Sequence, residues 1–293
     1  MRSMIIPLPE QFSFDLAVSF LLRSPRELLH RVEGDKILKA LKIDDVNILC
    51  SIELDKSNLS VKFLKGSPNA KNRKEVECYI REWFDLETDL APFYEMAKND
   101  ALLKNLVNTY HGYRIVGQPD LFESLIWAVL GQQINLQFAY TLKQRFVERY
   151  GEQIEFNGQN YFLFPSPEIV SKITTDELLA LQFSKQKAKY TVGIAEVFVM
   201  GEVSKEKLKG LSLQQAKELL IKIKGVGNWT ANYALMKTFR YPDAFPLEDA
   251  GVHNAIRNLK KMKAKPTLDQ VKRIFKKYKG WEAYATLYLW KSL

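Results

Sequence analysis

The feature that most constrains this chain is a pair of glycines, Gly225 and Gly227, between two helical patterns. An apolar helix end over residues 219–223 leads into the pair, and a second helical pattern starts near Thr230. Glycine can adopt positive φ and expose bare backbone, while Val226 between the two can anchor the turn in the core. The second helix then begins with free N–H groups and the positive end of its dipole, which together bind phosphate.

Two adjacent carboxylates follow this helix-hairpin-helix, which we place at about residues 212–240. The helical pattern fades near Arg240, and Pro242 prevents its continuation. A short loop then delivers Glu248 and Asp249 directly before the next helical stretch. Spacing alone does not separate these two acids, because adjacent carboxylates at a helix start are often only capping and first-turn residues.

The charge balance favours a polyanionic partner. Lysine and arginine number 43 against 34 acidic residues, a net charge of +9, although a basic surface kept for solubility would look the same. Lys222, Lys224 and Asn228 surround the glycine turn, so we favour a DNA backbone over a helix corner that only packs.

The pattern of apolar residues divides the chain into two parts. Residues 1–84 contain the runs Lys36–Ile43, Val46–Leu54 and Leu59–Leu64, which are separated by turn residues and predict an antiparallel meander. From residue 85 to 293 every strong signal is helical. We therefore predict a mainly α protein with an N-terminal α+β domain.

Cysteine usage and hydropathy favour a reducing cellular compartment. Cys50 and Cys78 cannot form a disulfide framework, and the apolar run at the N-terminus is too short for a signal peptide. No stretch approaches the roughly 20 apolar residues of a membrane span. We expect a cytoplasmic monomer that uses no cofactor and no membrane.

Together these residues resemble the helix-hairpin-helix DNA glycosylases and, within them, the 3-methyladenine DNA glycosylase II type. The resemblance extends from Asp120 to the C-terminus, whereas the first domain matches only in having an N-terminal antiparallel sheet with helices. The matching pieces are residues 122–123, 130–133, 224–233, 245–249 and 281–290.

This resemblance implies a monofunctional enzyme that flips alkylated bases, such as 3-methyladenine and 7-methylguanine, out of duplex DNA and hydrolyses the N-glycosidic bond. It assigns catalysis to Asp249, whose carboxylate would stabilise an oxocarbenium-like sugar and orient or deprotonate water. Bifunctional relatives form a Schiff base through a lysine where this chain has Trp229. Lys237 would be the substitute lysine if a strand-nicking activity existed.

The resemblance also implies an aromatic pocket for the flipped base. An electron-deficient alkylated base stacks well on indole and phenol rings, although aromatic residues at helical spacing are more often core. Ala250 stands where such enzymes can carry a pocket tyrosine, which leaves the width of the pocket open. The pocket candidates are Trp229, Tyr233, Trp290, Tyr284 and Phe20.

Two further elements complete the expected DNA interface. The turn after Gly131 would supply the residue that fills the gap left by the flipped base, either Gln133 or Ile134. The carbonyls of Ile223 and Gly225 could hold a monovalent cation. The residues expected to meet the DNA backbone are Lys224, Gly225, Val226, Gly227, Asn228 and Thr230.

Two other functions remain open from the sequence. The first is a glycosylase for deaminated, oxidised or mismatched bases. The second is a DNA-binding repair accessory that uses the hairpin without chemistry.

Overall fold

A computed structural model describes residues 3–293, which fold into an N-terminal sheet and a larger helical part. The sheet has five antiparallel strands in the order β1-β5-β4-β3-β2. Its central strands are the predicted meander, whereas β1 was not predicted and pairs with β5. The elements up to the second helix are β1 (Ser3–Pro7), α1 (Phe14–Leu21), β2 (Arg31–Glu33), β3 (Lys36–Ile43), β4 (Val46–Asp55), β5 (Asn58–Lys65) and α2 (Ala70–Trp83).

Beyond α2, the regular elements of the described residues are helices and one short β-hairpin. This confirms the predicted fold class, a mainly α protein with an N-terminal α+β domain. In chain order the elements are α3 (Ala91–Ala97), α4 (Lys104–Thr109), α5 (Leu121–Gly131), α6 (Leu136–Tyr150), β6 (Gln153–Phe156), β7 (Gln159–Phe162), α7 (Pro167–Val170), α8 (Thr175–Ala180), α9 (Lys185–Val199), α10 (Lys205–Leu208), α11 (Leu213–Leu220), α12 (Asn228–Phe239), α13 (Ala250–Leu259), α14 (Leu268–Phe275) and α15 (Glu282–Lys291).

Both faces of the sheet are covered, because strand β3 carries apolar residues on its two sides. Ile37 and Leu41 point into a core closed by α1 and α2. Leu38 and Ala40 alternate with them and pack against the β6–β7 hairpin. The hairpin therefore returns to the sheet, although it lies far beyond residue 84, where we divided the chain.

Helix α12 is the centre of the helical part, and it is buried over most of its length. Ala231, Ala234 and Leu235 pack into a core shared with α5, α9 and α11, whereas Met236 belongs to a second core with α13 and α15. A helix with an apolar surface on several sides is expected to be buried in this way. Within residues 3–293, every helix is too short or too polar to cross a bilayer.

Buried charges connect the N-terminal part to the helices. The ammonium of Lys143 on α6 bonds to the carboxylates of Glu27 at 3.0 Å and of Glu123 at 3.3 Å. Burial alone would raise the pKa of Glu27, but the charges of Lys143 and His30 outweigh it and lower the pKa to about 2. The Glu27 carboxylate therefore stabilises the folded state only while it is ionised.

We expect Glu27→Gln to lower the free energy of unfolding by about 2 kcal/mol at pH 7, because a hydrogen-bonded buried charge is lost. The Glu27 pKa lies below its unfolded value, so the contribution is complete above about pH 4.5 and disappears as pH falls towards 2. Urea unfolding of wild type and variant at pH 7, 4 and 3 measures the difference. The exposed Glu148→Gln on α6 is the control, and an equal loss in both variants would contradict the prediction.

Candidate active site and DNA-binding hairpin

The hairpin between α11 and α12 depends on one glycine. Gly225 has φ +96°, in the left-handed region, and a Cβ atom added there would lie 2.3 Å from the Cγ atom of the Tyr190 ring. Val226 is buried and its N–H donates to the Ile223 carbonyl at 3.0 Å. Hence Gly225 lets the backbone lie on an aromatic ring, while Val226 anchors the turn as predicted.

The start of α12 presents backbone N–H groups to solvent. Gly227 occupies the N-cap position and no side chain caps this helix end. The neighbouring Lys222, Lys224 and Asn228 are exposed, and the two lysines line a groove of about 450 Å³ between the hairpin and α9. An uncapped helix N-terminus among lysines attracts an anion such as a phosphate.

The side chain of Thr230, one of the predicted backbone contacts, turns inward. Its side chain is buried and its hydroxyl accepts a hydrogen bond from the Gln132 side chain at 2.9 Å. The predicted contact of Thr230 with the DNA backbone stays a prediction, because its backbone N–H lies in the first turn of α12.

The two carbonyls proposed for a cation already accept hydrogen bonds. The Ile223 oxygen accepts the Val226 N–H, and the Gly225 oxygen accepts the Gln132 amide at 3.0 Å. Each carbonyl oxygen has a second lone pair, so the bound cation stays a prediction.

The carboxylate of Asp249 is held by three N–H donors from three helices. Asp249 is the N-cap of α13 and accepts the Val252 N–H at 2.9 Å. The indole N–H of Trp290 on α15 donates to Oδ1 at 2.7 Å, and that of Trp229 on α12 donates to Oδ2 at 3.0 Å. Since none of the donors carries a formal charge, the negative charge is oriented without being neutralised.

This arrangement separates Asp249 from its neighbour Glu248. Glu248 is exposed, whereas Asp249 is half-buried and hydrogen-bonded. An ionised carboxylate has about four lone-pair sites, and three are used here. The remaining site lies on Oδ2, which accepts one hydrogen bond whereas Oδ1 accepts two.

The close approach of Trp290 to Asp249 requires a glycine at position 251. A Cβ atom added to Gly251 would lie 2.9 Å from the Asp249 Oδ1 and 2.9 Å from Cδ1 of Trp290. Both distances are below van der Waals contact, so a side chain at Gly251 would separate the indole from the carboxylate. The sequence contained no sign of this role.

Three of the predicted pocket aromatics lie together beside Asp249. The rings of Trp229 and Tyr233 stack at 5.3 Å with an interplanar angle of 22°. Tyr233 also faces Trp290 at 6.2 Å, and its hydroxyl accepts the Trp127 indole N–H at 2.9 Å. Trp229 and Trp290 are half-buried, so part of each indole is open to a ligand.

Tyr284 does not belong to this group. Its ring is fully buried in the core between α13 and α15, and its hydroxyl donates to the carboxylate of Asp85. The prediction that Tyr284 lines the base pocket was wrong, because its position on α15 turns it inward while Trp290 turns outward.

Phe20 lies in the N-terminal domain between two cations. The guanidinium of Arg23 is 4.0 Å from its ring centre and the ammonium of Lys237 is 4.6 Å from it. Arg23 also donates to the Tyr140 hydroxyl, and the Tyr140 ring packs at 4.8 Å against Trp127. Phe20 is thus linked to the aromatic cluster around Trp127 through Arg23 and Tyr140, and its place in the pocket stays a prediction.

Arg23 was missed by the sequence reasoning. Its side chain is exposed, although it lies next to the aromatic cluster around Trp127 and Tyr140. The only signal was a basic residue three positions after Phe20, and the partner Tyr140 is more than a hundred residues away in sequence. Such a contact becomes visible only once the two domains are packed.

The turn between α5 and α6 favours one of the two predicted wedge residues. Gln133 is exposed and has φ +57°, whereas Ile134 is half-buried and packs against two cores. Leu136 in the first turn of α6 is 53% exposed and was also missed. Of the two predicted residues, Gln133 is thus the more accessible.

Comparison with known proteins identifies the class to which this arrangement belongs. Residues 126–280 match the family described as HhH-GPD superfamily base excision DNA repair protein. Residues 30–125 match the N-terminal domain of 8-oxoguanine DNA glycosylase. The chain belongs to the HhH-GPD superfamily of base excision DNA repair proteins, which confirms the resemblance found in the sequence.

Within that superfamily the chain is similar to several 3-methyladenine DNA glycosylases. The chain is 43% identical over 292 residues to the DNA-3-methyladenine glycosylase of Bacillus subtilis, covering 99% of this chain and 96% of the relative. The structure of the Archaeoglobus fulgidus 3-methyladenine DNA-glycosylase superposes with a TM-score of 0.86 at 24% identity, covering 98% and 97% of the two chains. The Schizosaccharomyces pombe enzyme in complex with abasic DNA gives 0.58 at 30% identity, covering 67% and 93%.

We expect Gly251→Ala to displace the Trp290 indole and to destabilise the fold by about 1–3 kcal/mol, as overpacking does. Near-ultraviolet circular dichroism reports the displaced tryptophan and urea unfolding reports the stability. Gly193→Ala is the matched control, because open space surrounds that position within helix α9. It should stabilise the protein by about 0.5–1 kcal/mol. An unchanged tryptophan signal in Gly251→Ala would contradict the prediction.

Proposed function

We propose that this protein is a monofunctional DNA glycosylase that removes alkylated bases from duplex DNA, with Asp249 as the catalytic residue. The observation that carries the proposal is the Asp249 carboxylate, held between two indoles at one helix start and joined by α12 to the phosphate-binding hairpin. The names of the relatives, DNA-3-methyladenine glycosylases, support the substrate class.

The geometry supplies each step of a hydrolysis. The hairpin N–H groups hold a backbone phosphate, and the flipped base stacks against Trp229 and Trp290. As the N-glycosidic bond breaks, its electron pair passes to the base and cancels the positive charge that alkylation placed there. The carboxylate of Asp249 stabilises the positive sugar, water adds to its anomeric carbon, and the proton of that water leaves to Asp249 or to solvent.

The position at which bifunctional relatives carry a Schiff-base lysine holds no amine in this chain. Trp229 stands there, and its indole nitrogen donates to Asp249 and cannot form a Schiff base. The expected product is therefore an intact strand with an abasic site.

Two alternatives are distinguished by one assay. A glycosylase for oxidised bases is favoured by the match of residues 30–125 to an 8-oxoguanine glycosylase domain, and an accessory protein would bind without chemistry. Purified protein is incubated with duplexes that contain methylated purines, 8-oxoguanine or uracil, and the released base is measured. Free methylpurine supports the proposal, and release only from another duplex, or tight binding with no release, contradicts it.

Asp249→Asn is expected to lower base release by at least about 100-fold, because the full negative charge opposite the sugar is lost. Asparagine is as good an N-cap as aspartate, so the start of α13 and the binding of duplex DNA should remain. Single-turnover release and fluorescence anisotropy measure the two effects.

Glu248→Gln is the matched control for this substitution. It removes the neighbouring exposed charge and should leave release almost unchanged. Equal losses in both variants would show that Asp249 has no special role, and loss of binding or folding in Asp249→Asn would make the residue structural.

Substitutions of the two hairpin glycines should separate folding from phosphate binding. Gly225→Ala forces a Cβ into the Tyr190 ring and a left-handed φ that costs about 1–2 kcal/mol, so it should weaken binding to all duplex sequences roughly tenfold. The larger Gly225→Val should weaken it further. Gly227→Ala meets open space, so any loss of affinity there comes from blocking the phosphate. If a variant lost binding to only one type of lesion, the prediction of a backbone contact would be contradicted.

The remaining parts of the proposal are not carried by the site itself. If the carbonyls of Ile223 and Gly225 bind a monovalent cation, the affinity for duplex DNA should be higher in a potassium salt than in the salt of a large organic cation at the same ionic strength. A monomeric state and a cytoplasmic location stay predictions from the sequence.

A further inference from the structure

The turn that carries Gln133 is tied to the rest of the protein by a buried lysine from another helix. Lys187 on α9 is only 8% exposed, and its ammonium donates to the carbonyls of Val129 at 2.8 Å, Leu130 at 2.9 Å and Gln132 at 2.6 Å. An ammonium has three N–H donors, so these three carbonyls use all of them. They are the carbonyls at the end of α5, where a helix lacks internal donors and favours a cation.

The same turn is tied to the DNA-binding hairpin by the next side chain. The amide nitrogen of Gln132 donates to the Gly225 carbonyl at 3.0 Å and to the Thr230 hydroxyl at 2.9 Å. Both amide hydrogens are thereby used, one on each side of the start of α12. Gln132 thus holds the turn to the hairpin by two hydrogen bonds, and Lys187 holds the same turn to α9 by three. Helix α9 also carries Tyr190, the ring on which Gly225 of the hairpin lies.

A buried lysine without a carboxylate partner requires an explanation. Within the described residues 3–293, every group that accepts a hydrogen bond from the Lys187 ammonium is a backbone carbonyl. Burial lowers the pKa of Lys187 to about 8, so the charged form is costly, and a methionine could fill the same space. What methionine could not do is draw three carbonyls to one point.

The turn itself needs such support, because Gln133 has a left-handed backbone at φ +57° with an exposed side chain. A residue in this conformation persists only where its surroundings hold it. Lys187 holds this turn from α9, and Gln132 holds it from the side of the hairpin.

We propose that Lys187 and Gln132 are positioning residues that make the α5–α6 turn and the hairpin one rigid unit, so that the grip on a backbone phosphate fixes where Gln133 enters the duplex. The inference rests on the proposed function. It assigns Lys187 to the base-flipping step, through Gln133, and not to the binding of phosphate.

The link can be tested first in the free protein, without DNA. Hydrogen exchange of the backbone amides in residues 131–138 should become at least roughly tenfold faster in Lys187→Met than in wild type. Lys189→Met is the matched control, since Lys189 is exposed on the same helix, whereas the three bonds to the turn carbonyls come from Lys187. Unchanged exchange in a folded Lys187→Met protein would overturn the proposal, whatever the protein does to DNA.

The second test measures flipping on a duplex in which 2-aminopurine lies beside a methylated purine that the wild type has been shown to release. Lys187→Met and Gln132→Met should each reduce the rate of the fluorescence rise at least roughly tenfold at saturating protein, and their double variant should show less than the product of the two effects. Lys189→Met should lower affinity at low salt without slowing the rise once DNA is bound. A wild type that releases no methylpurine would contradict the proposed function and leave the exchange result to decide the link.

Lys187→Arg distinguishes geometry from charge and covers the case in which Lys187→Met does not fold. The planar guanidinium keeps the charge but cannot direct three N–H groups at one cluster of carbonyls. We expect it to flip as poorly as Lys187→Met while binding duplex like the wild type. Full flipping in Lys187→Arg would show that the charge alone matters and would overturn the proposal.

Discussion

The site depends on the way three helices deliver N–H groups to one carboxylate. Trp229, Val252 and Trp290 come from α12, α13 and α15, and all three donate to Asp249. Each donor orients the negative charge without cancelling it, which is what stabilisation of a developing positive charge requires. A displacement of one helix by about an ångström would break this arrangement, so the geometry of the candidate active site depends on the packing of the helical cores.

The rest of the molecule holds these helices and the hairpin at fixed distances. Helix α12 is buried between two cores and carries the hairpin at its start and Trp229 in its first turn. Gln132 connects the hairpin to the neighbouring turn, Lys187 connects that turn to α9, and Lys143 connects α6 to Glu27 of the N-terminal domain. The basic surface near the hairpin and the carboxylate of Asp249 are therefore held at a fixed distance from each other.

Much of this could be predicted from the sequence, because some features act over a few neighbouring residues. The meander of β3, β4 and β5, helix α6 and the turn at Gly225 follow from local alternation, capping and glycine. Strand β1 was missed since its pairing with β5 is long-range. Tyr284 and Trp290 could not be separated either. Both are aromatic residues of the same largely buried helix, and they differ only in which neighbours they face.

The sequence by itself determined the class of fold, the position of the hairpin and the presence of a carboxylate one helix later. Its resemblance to known glycosylases favoured Asp249 over Glu248. Only the tertiary structure decided that both indoles reach Asp249, that Gly251 leaves room for one of them, and that Lys187 supports the turn of Gln133. The reason is physical: turns and helix starts are set by neighbours in the chain, whereas a hydrogen bond between distant residues exists only after the cores have packed.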